Sequence, residues 1–364
     1  MIACLSPNGQ NLCHGNEPPA RLLVATIRGV NLIERQRPGA PWTDRGRTLD
    51  GHHCGSLMIE PQRGGVFAGM HDGGLYFSAD GGETWELRAN GLATENVFSI
   101  AYAHRRDGVA LYVGSEPATI FRSDDYGLSW RELPGIKGAP GCDKWVFPSP
   151  PHQAHTKTLT VDPRNPDVIY AGVEQGALFK TTDAGATWRE IDDFSKPTDW
   201  TYRDVHLVTV HPDDSNELFL TTGMGIYHSF DAGDTWRLEI DNSFRIGYPD
   251  HFIISPLDGN TIFVTGAAKD PGEWRTTHHA DATIMKSRDR GRNWTDASAG
   301  IPDDRRPNIE AMSLAAYPGG FTLFAGNTDG VVFASEDEAQ HWTRVAGDLA
   351  PVSKGRHYRN LQLA

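Results

Sequence analysis

A short turn that the chain repeats, with decay, from one end to the other constrains its fold more than any other feature. The clearest copy is Ser78-Ala79-Asp80-Gly81-Gly82-Glu83-Thr84-Trp85. In such a segment the Asp carboxylate accepts from backbone N–H groups of its own turn, a Gly takes positive φ, and the hydroxyl residues bond locally. The Trp then lays a large apolar ring against the next layer. Further copies occupy residues 123–130, 181–188, 229–236 and 287–294, each ending in Trp. Two are worn: Ser335-Glu336-Asp337 runs to Trp342 without its Gly, and near the N-terminus Trp42 alone keeps register.

Trp42, Trp85, Trp130, Trp188, Trp236, Trp294 and Trp342 recur at intervals of 43 to 58 residues, the period of β-propeller blades. Before the turns come paired apolar runs such as Val66-Phe67-Ala68-Gly69 and Ile169-Tyr170-Ala171-Gly172, and about twenty residues further upstream come runs such as Leu57-Met58-Ile59. Read as strands A to D, these predict an all-β, seven-bladed propeller of four-stranded blades, one domain over residues 1–364. The 39 Gly and 23 Pro suit many short strands joined by turns, and a repeat array makes one body of a length that would otherwise suggest two domains. Residues 1–20 are expected to be an N-terminal extension. No strand A precedes Leu22, while 357–363 aligns with 53–59, so residues 355–364 are expected to close the ring as strand A of the first blade.

The pattern S/T-x-D-x-G-x-T-W resembles the Asp-box (BNR) repeat of sialidase-like, sortilin-like and related β-propellers of the WD40-YVTN-BNR-like superfamily. The resemblance implies architecture and leaves chemistry open, because these propellers include glycosidases, receptors and assembly factors. A net charge of −13 argues against a nucleic-acid partner. No apolar stretch reaches membrane-spanning length. The first residues lack a basic start and an apolar run, so a cytoplasmic location is expected. Cys4, Cys13, Cys54 and Cys142 form no C-x-x-C pair and are expected to be reduced thiols, with a Cys4–Cys13 bridge as the alternative.

In a propeller the A strands line the axial channel, and the D-to-A and B-to-C connections share the face opposite the Asp-boxes. The two longest intervals reflect insertions on that face, residues 137–154 and 267–282. Stacking the A strands makes His53, Asn96, His155, Asp204 and His357 equivalent; in the last two blades Tyr248, Asp250, His251, Asn308 or Glu310 takes the position. Converging imidazoles are common ligands of Zn, Cu, Fe or Ni. The leading expectation is therefore a divalent transition metal (Zn, Cu, Fe or Mn) on His53, His155 and His357, with His206 or His251, and no organic cofactor. By fold-level analogy this looks like the seven-bladed copper reductases and the carotenoid-cleaving iron enzymes.

Such a centre would support hydrolysis, elimination or oxidation, with Glu174, Asp204 or Glu310 as the catalytic carboxylate. Arg28, His71, Glu116, Trp145, Arg203, Arg245, Tyr248 and His278 are the expected substrate-binding wall, joined by Trp200 and Tyr202. Arginines with aromatics suit an anionic small molecule or a glycoside. The alternatives are a sialidase-like glycoside hydrolase, with carboxylates drawn from Asp72, Glu116 and Glu174, and a non-catalytic binding or assembly scaffold. Against the first stand seven blades where sialidases have six and the absence of an N-terminal Arg-Ile-Pro element. Oligomeric state is left open.

Overall fold

The computed structural model describes all residues except 149–150, 192–193, 195–202 and 362–364, so Trp200 and Tyr202 lie outside the described residues. Seven separate sheets form seven blades. Strand A of blades 2 to 7 is Cys54–Ile59, Val97–Arg105, Thr156–Asp162, Val205–His211, Tyr248–Ile254 and Ile309–Tyr317, each antiparallel to the strand that follows. Strands A and B are largely buried, whereas the short D strands such as Glu86–Leu87 are exposed. The apolar residues therefore pack between neighbouring blades.

The Asp-boxes behave as their chemistry demands. Ser78 Oγ donates to Asp80 Oδ1 at 2.8 Å, Gly82 N donates to Ser78 Oγ at 2.8 Å, and Thr84 N donates to Asp80 Oδ1 at 3.0 Å. The same bonds recur around Asp125, Asp183, Asp231 and Asp289. Gly82 has φ 95°, and a Cβ there would meet Leu23 Cδ2 at 2.7 Å. The worn box of blade 7 keeps the fold of the turn with Ala339 at φ 60° in place of Gly. Three of the Trp rings also tie their blade to the one before: Trp85 Nε1 donates to Thr48 Oγ1 at 2.9 Å, Trp130 Nε1 to Arg88 O at 2.9 Å and Trp342 Nε1 to Ala297 O at 2.7 Å.

Closure of the ring differs from the expectation. Strand A of blade 1 is Ile2–Leu5, paired in parallel with Arg21–Thr26. The chain then turns inside the ring: Asn8 N and Gln10 N donate to Gly55 O and Leu57 O of blade 2, and Leu12–His14 adds a parallel fifth strand to blade 7. Residues 1–20 are therefore the inner wall of two blades and fill part of the channel. The physical reason is composition. Ala3, Cys4 and Leu5 are fully buried, a place that His357, Arg359 and Asn360 would occupy only with unpaired polar groups. Residues 350–354 fill the remainder of the gap, with Ile27 N donating to Pro351 O at 3.0 Å. The following segment, Tyr358–Leu361, is a helical turn packed on the helix Pro271–Thr277 rather than a strand. Cys4 and Cys13 are free thiols with sulfurs 3.6 Å apart.

Candidate functional site

Every strand A from blade 2 to blade 7 carries a register shift near its start, between Cys54/Ser56, Val97/Ser99, Thr156/Thr158, Val205/Leu207, Pro249/His251 and Ile309/Ala311. A bulge leaves one residue out of the ladder and re-aims its side chain. The residues so released are Gly55, Phe98, Lys157, His206, Asp250 and Glu310. Four of them are charged or imidazole groups, each buried near the axis. Gly55 is bare for a reason: a Cβ would lie 2.1 Å from His71 Nε2.

Around these groups lies a buried ionic network. Lys157 Nζ pairs with Glu174 Oε1, His155 Nε2 lies 2.7 Å from Glu174 Oε2, and His155 Nδ1 lies 3.4 Å from Glu116 Oε2. Tyr248 Oη donates to Asp204 Oδ2 at 3.2 Å. On the far side Lys354, delivered by the C-terminal segment, pairs with Asp250, and Asn308 Nδ2 donates to Asp250 Oδ2 at 2.8 Å. Glu310 accepts from Ser353 Oγ and Lys354 N and lies 3.3 Å from His357 Nδ1. Burial alone would push the Glu174 carboxyl up, but the Lys157 ammonium and His155 outweigh it and hold the carboxyl well below its usual range. For His155 burial works against the charged form, yet hydrogen bonding to Glu116 and Glu174 leaves its pKa raised. Asp250 is brought down to about 2 against the effect of burial, chiefly by Lys354.

The imidazoles expected to share a metal do not converge. His53, His71, Phe98 and His155 form a ladder of rings, with centroids 4.3, 4.0 and 3.9 Å apart, so two rings separate His53 from His155. His357 belongs to Glu310 instead. His251 Nε2 donates to Pro7 O at 3.0 Å and Glu310 O at 3.1 Å, pinning the N-terminal segment. Burial lowers the pKa of His53 and His71, and that of His251 to about 4. Among the described residues His206 is the one of the five that falls in a group of three ligand atoms: its ring, Glu174 and Asp204 place them within 4.8 Å of one another.

The expected substrate wall is dispersed. Arg203 is tied to Glu190 at 2.8 Å, Arg245 to Asp281 at 2.8 Å, and His278 caps the helix Pro271–Thr277 with its Nδ1 3.1 Å from Asn360 O. Arg28 is exposed on the rim of blade 1. His71 lies in the ring ladder, Tyr248 on Asp204, and Trp145 edge-on to Phe179 at 5.9 Å. Glu116 remains beside His155, with Phe147 of the blade 4 insertion across the ring at 4.8 Å. Lys157 and Lys354 were not anticipated. Lys157 carries a readable signal, a lysine two residues after His155 within an apolar strand; Lys354 carries none, since its place depends on where the tail returns. The other half of the channel holds a cavity of 420 Å³ lined by Gln10, Tyr102, His104, Thr158, Thr160 and Thr209.

Residues 76–87 match the BNR/Asp-box repeat family. The chain is a seven-bladed Asp-box β-propeller. This propeller is 24% identical over 360 residues to a xyloglucanase of Paenibacillus sp, a match that covers 85% of this chain and 33% of the relative. A xyloglucanase of Hypocrea jecorina is 28% identical over 158 residues, 38% of this chain and 18% of the relative. The propeller thus spans about a third or less of the length of these curated relatives. Among solved structures, an ancestral GH74 enzyme superposes with a TM-score of 0.59 at 17% identity, covering 80% of this chain and 38% of the other. YCF48 bound to D1 peptide superposes with a TM-score of 0.56 at 14% identity, covering 91% and 95%. At these identities the likeness to the solved structures is one of fold.

Proposed function

We propose that this propeller is a glycoside hydrolase acting on a polysaccharide of the xyloglucan class, with Glu116 and Glu174 as its working carboxylates. The observation that carries the reading is that these two carboxylates flank one imidazole and differ in their surroundings. Glu174 is held anionic by Lys157 and His155, whereas the charged partner of Glu116 among the described residues is His155 alone. Paired carboxyl groups with unequal environments divide the work of glycoside hydrolysis: one protonates the leaving oxygen while the other activates water or attacks the anomeric carbon. Glu174 is the base or nucleophile, and Glu116 is the proton donor, recharged through His155. The likeness to xyloglucanases over most of the chain supports the substrate class.

Phe147, from the insertion of blade 4, lies edge-on to the His155 ring that joins this pair, and Trp145 of the same insertion lies against Phe179; both are apolar rings of the kind that pack on sugars. Both carboxylates are buried, at 6% and 3% exposure, so the polysaccharide displaces the Phe147 ring to reach them. The same burial favours a second reading, a propeller that holds a polysaccharide without cleaving it. Affinity electrophoresis against xyloglucan, an unbranched glucan and a sialylated glycan tests what the two readings share. Retardation by a glucan, weakened about tenfold in Trp145→Ala or Phe147→Ala, is expected. No retardation by any polysaccharide, or retardation indifferent to both substitutions, removes the proposal.

A further inference from the structure

His206, released from the ladder by the bulge of blade 5, has a side chain that is 0% exposed. Its Nδ1 lies 2.6 Å from Pro249 O. A carbonyl oxygen only accepts, so Nδ1 carries the proton and donates. Nε2 makes no hydrogen bond among the described residues and faces Asp204 Oδ2 at 3.4 Å. A ring fixed through Nδ1–H to a backbone carbonyl, with Nε2 bare and turned toward carboxylates, is the usual arrangement of a metal-ligating histidine.

The charges around it are out of balance. Among the described residues five buried carboxylates, Glu116, Glu174, Asp204, Asp250 and Glu310, surround the axis with two ammonium groups, Lys157 and Lys354. Carboxylates outnumber ammonium groups there, and a divalent ion would offset that excess. Geometry agrees. Metal–ligand bonds of about 2.1 Å in a tetrahedron place neighbouring ligand atoms about 3.4 Å apart, the separation of His206 Nε2 and Asp204 Oδ2. A Glu174 carboxylate oxygen completes the group within 4.8 Å.

We propose that Glu174, Asp204 and His206 hold one divalent transition-metal ion, zinc by the character of a set with one imidazole nitrogen and two carboxylate oxygens. Its supporting contacts are present: Tyr248 Oη on Asp204, Pro249 O on His206, and His155 and Lys157 on Glu174. The ion joins blade 4 to blade 5 at the axis, with blade 6 behind them. Glu174 is common to this centre and to the proposed hydrolysis, and binding of the ion is read without any cleavage at Glu116.

Elemental analysis of untagged wild-type protein is expected to give about one zinc per chain. Chelator-stripped protein should regain its melting temperature on adding Zn2+, and with Co2+ it should develop the visible absorption of a low-symmetry site. His206→Ala and Asp204→Asn should each lose about tenfold or more in zinc affinity, while Glu116→Gln keeps it. Wild-type protein that takes up neither ion, with no Co2+ absorption and no change in melting temperature, overturns the proposal even where a variant fails to fold. Zinc bound equally by folded His206→Ala overturns it too.

Discussion

Lys354→Met isolates the contact that fastens the C-terminal segment to the axis. Lys354 is buried, pairs with Asp250, and brings Ser353 Oγ and its own N–H onto Glu310. Holding the Asp250 carboxyl at about 2 rather than 3.8 corresponds to a few kcal/mol, on the order of 2–3, favouring the anion. Removing one partner of a buried pair also strands the other, so the single substitution should cost about 3–5 kcal/mol. Adding Asp250→Asn removes the stranded charge while still accepting from Asn308, and should recover more than half of that loss. Urea unfolding monitored by tryptophan fluorescence measures both. Because the Asp250 pKa is depressed, its stabilisation is full above the ordinary carboxylate value and is lost as pH falls toward 2; the gap between wild type and Lys354→Met should close over that range. A cost below about 1 kcal/mol, as for a surface pair, or a double variant no more stable than the single one, would refute the reasoning.

The ends of the chain give a second prediction. Deleting residues 1–15 removes strand A of blade 1 and bares the edge of Arg21–Thr26, so the product should aggregate, whereas deleting residues 355–364 should keep a sharp thermal transition; size-exclusion chromatography and calorimetry compare them. His251 gives a third. Its pKa of about 4 lies below the ordinary 6.5 because burial, helped by Lys354, outweighs Asp250 and the bonds to Pro7 O and Glu310 O, which favour the charged ring, so the unfolded chain binds the extra proton between these values. Stability should fall by roughly 3 kcal/mol as pH drops from 6.5 to 4, and His251→Gln should flatten that slope in pH-dependent urea titrations.

The blades were legible because each Asp-box is local chemistry. Asp80 and its counterparts satisfy their own turns, and the Trp that follows marks the blade whatever the rest of the chain does. Closure was not legible, because it depends on a parallel pairing between Ile2–Leu5 and Arg21–Thr26 that follows no repeat. The A strands were aligned well enough to place His53, Asn96, His155 and Asp204 at one level, and the bulges at Pro249/His251 and Ile309/Ala311 put Tyr248 and Asn308 there in the last two blades. What the alignment lacked was the direction of each side chain. His53 and His155 turn into a stack because Phe98 and the ring of His71, admitted by the bare Gly55, lie between them. The axis belongs instead to the residues two places on or nearby, Lys157, His206, Asp250 and Glu310. A bulge that repeats from blade to blade is visible only once the strands are paired.

Release of reducing ends from xyloglucan by wild-type protein beside Glu116→Gln tests the central claim most directly, because Glu116 lies outside the proposed metal ligands. The account predicts that wild type generates new reducing ends, and that Glu116→Gln, with an unchanged melting temperature, slows this by about 100-fold or more. Wild-type protein that binds the polysaccharide and leaves it intact, or a Glu116→Gln variant as active as wild type, would contradict it.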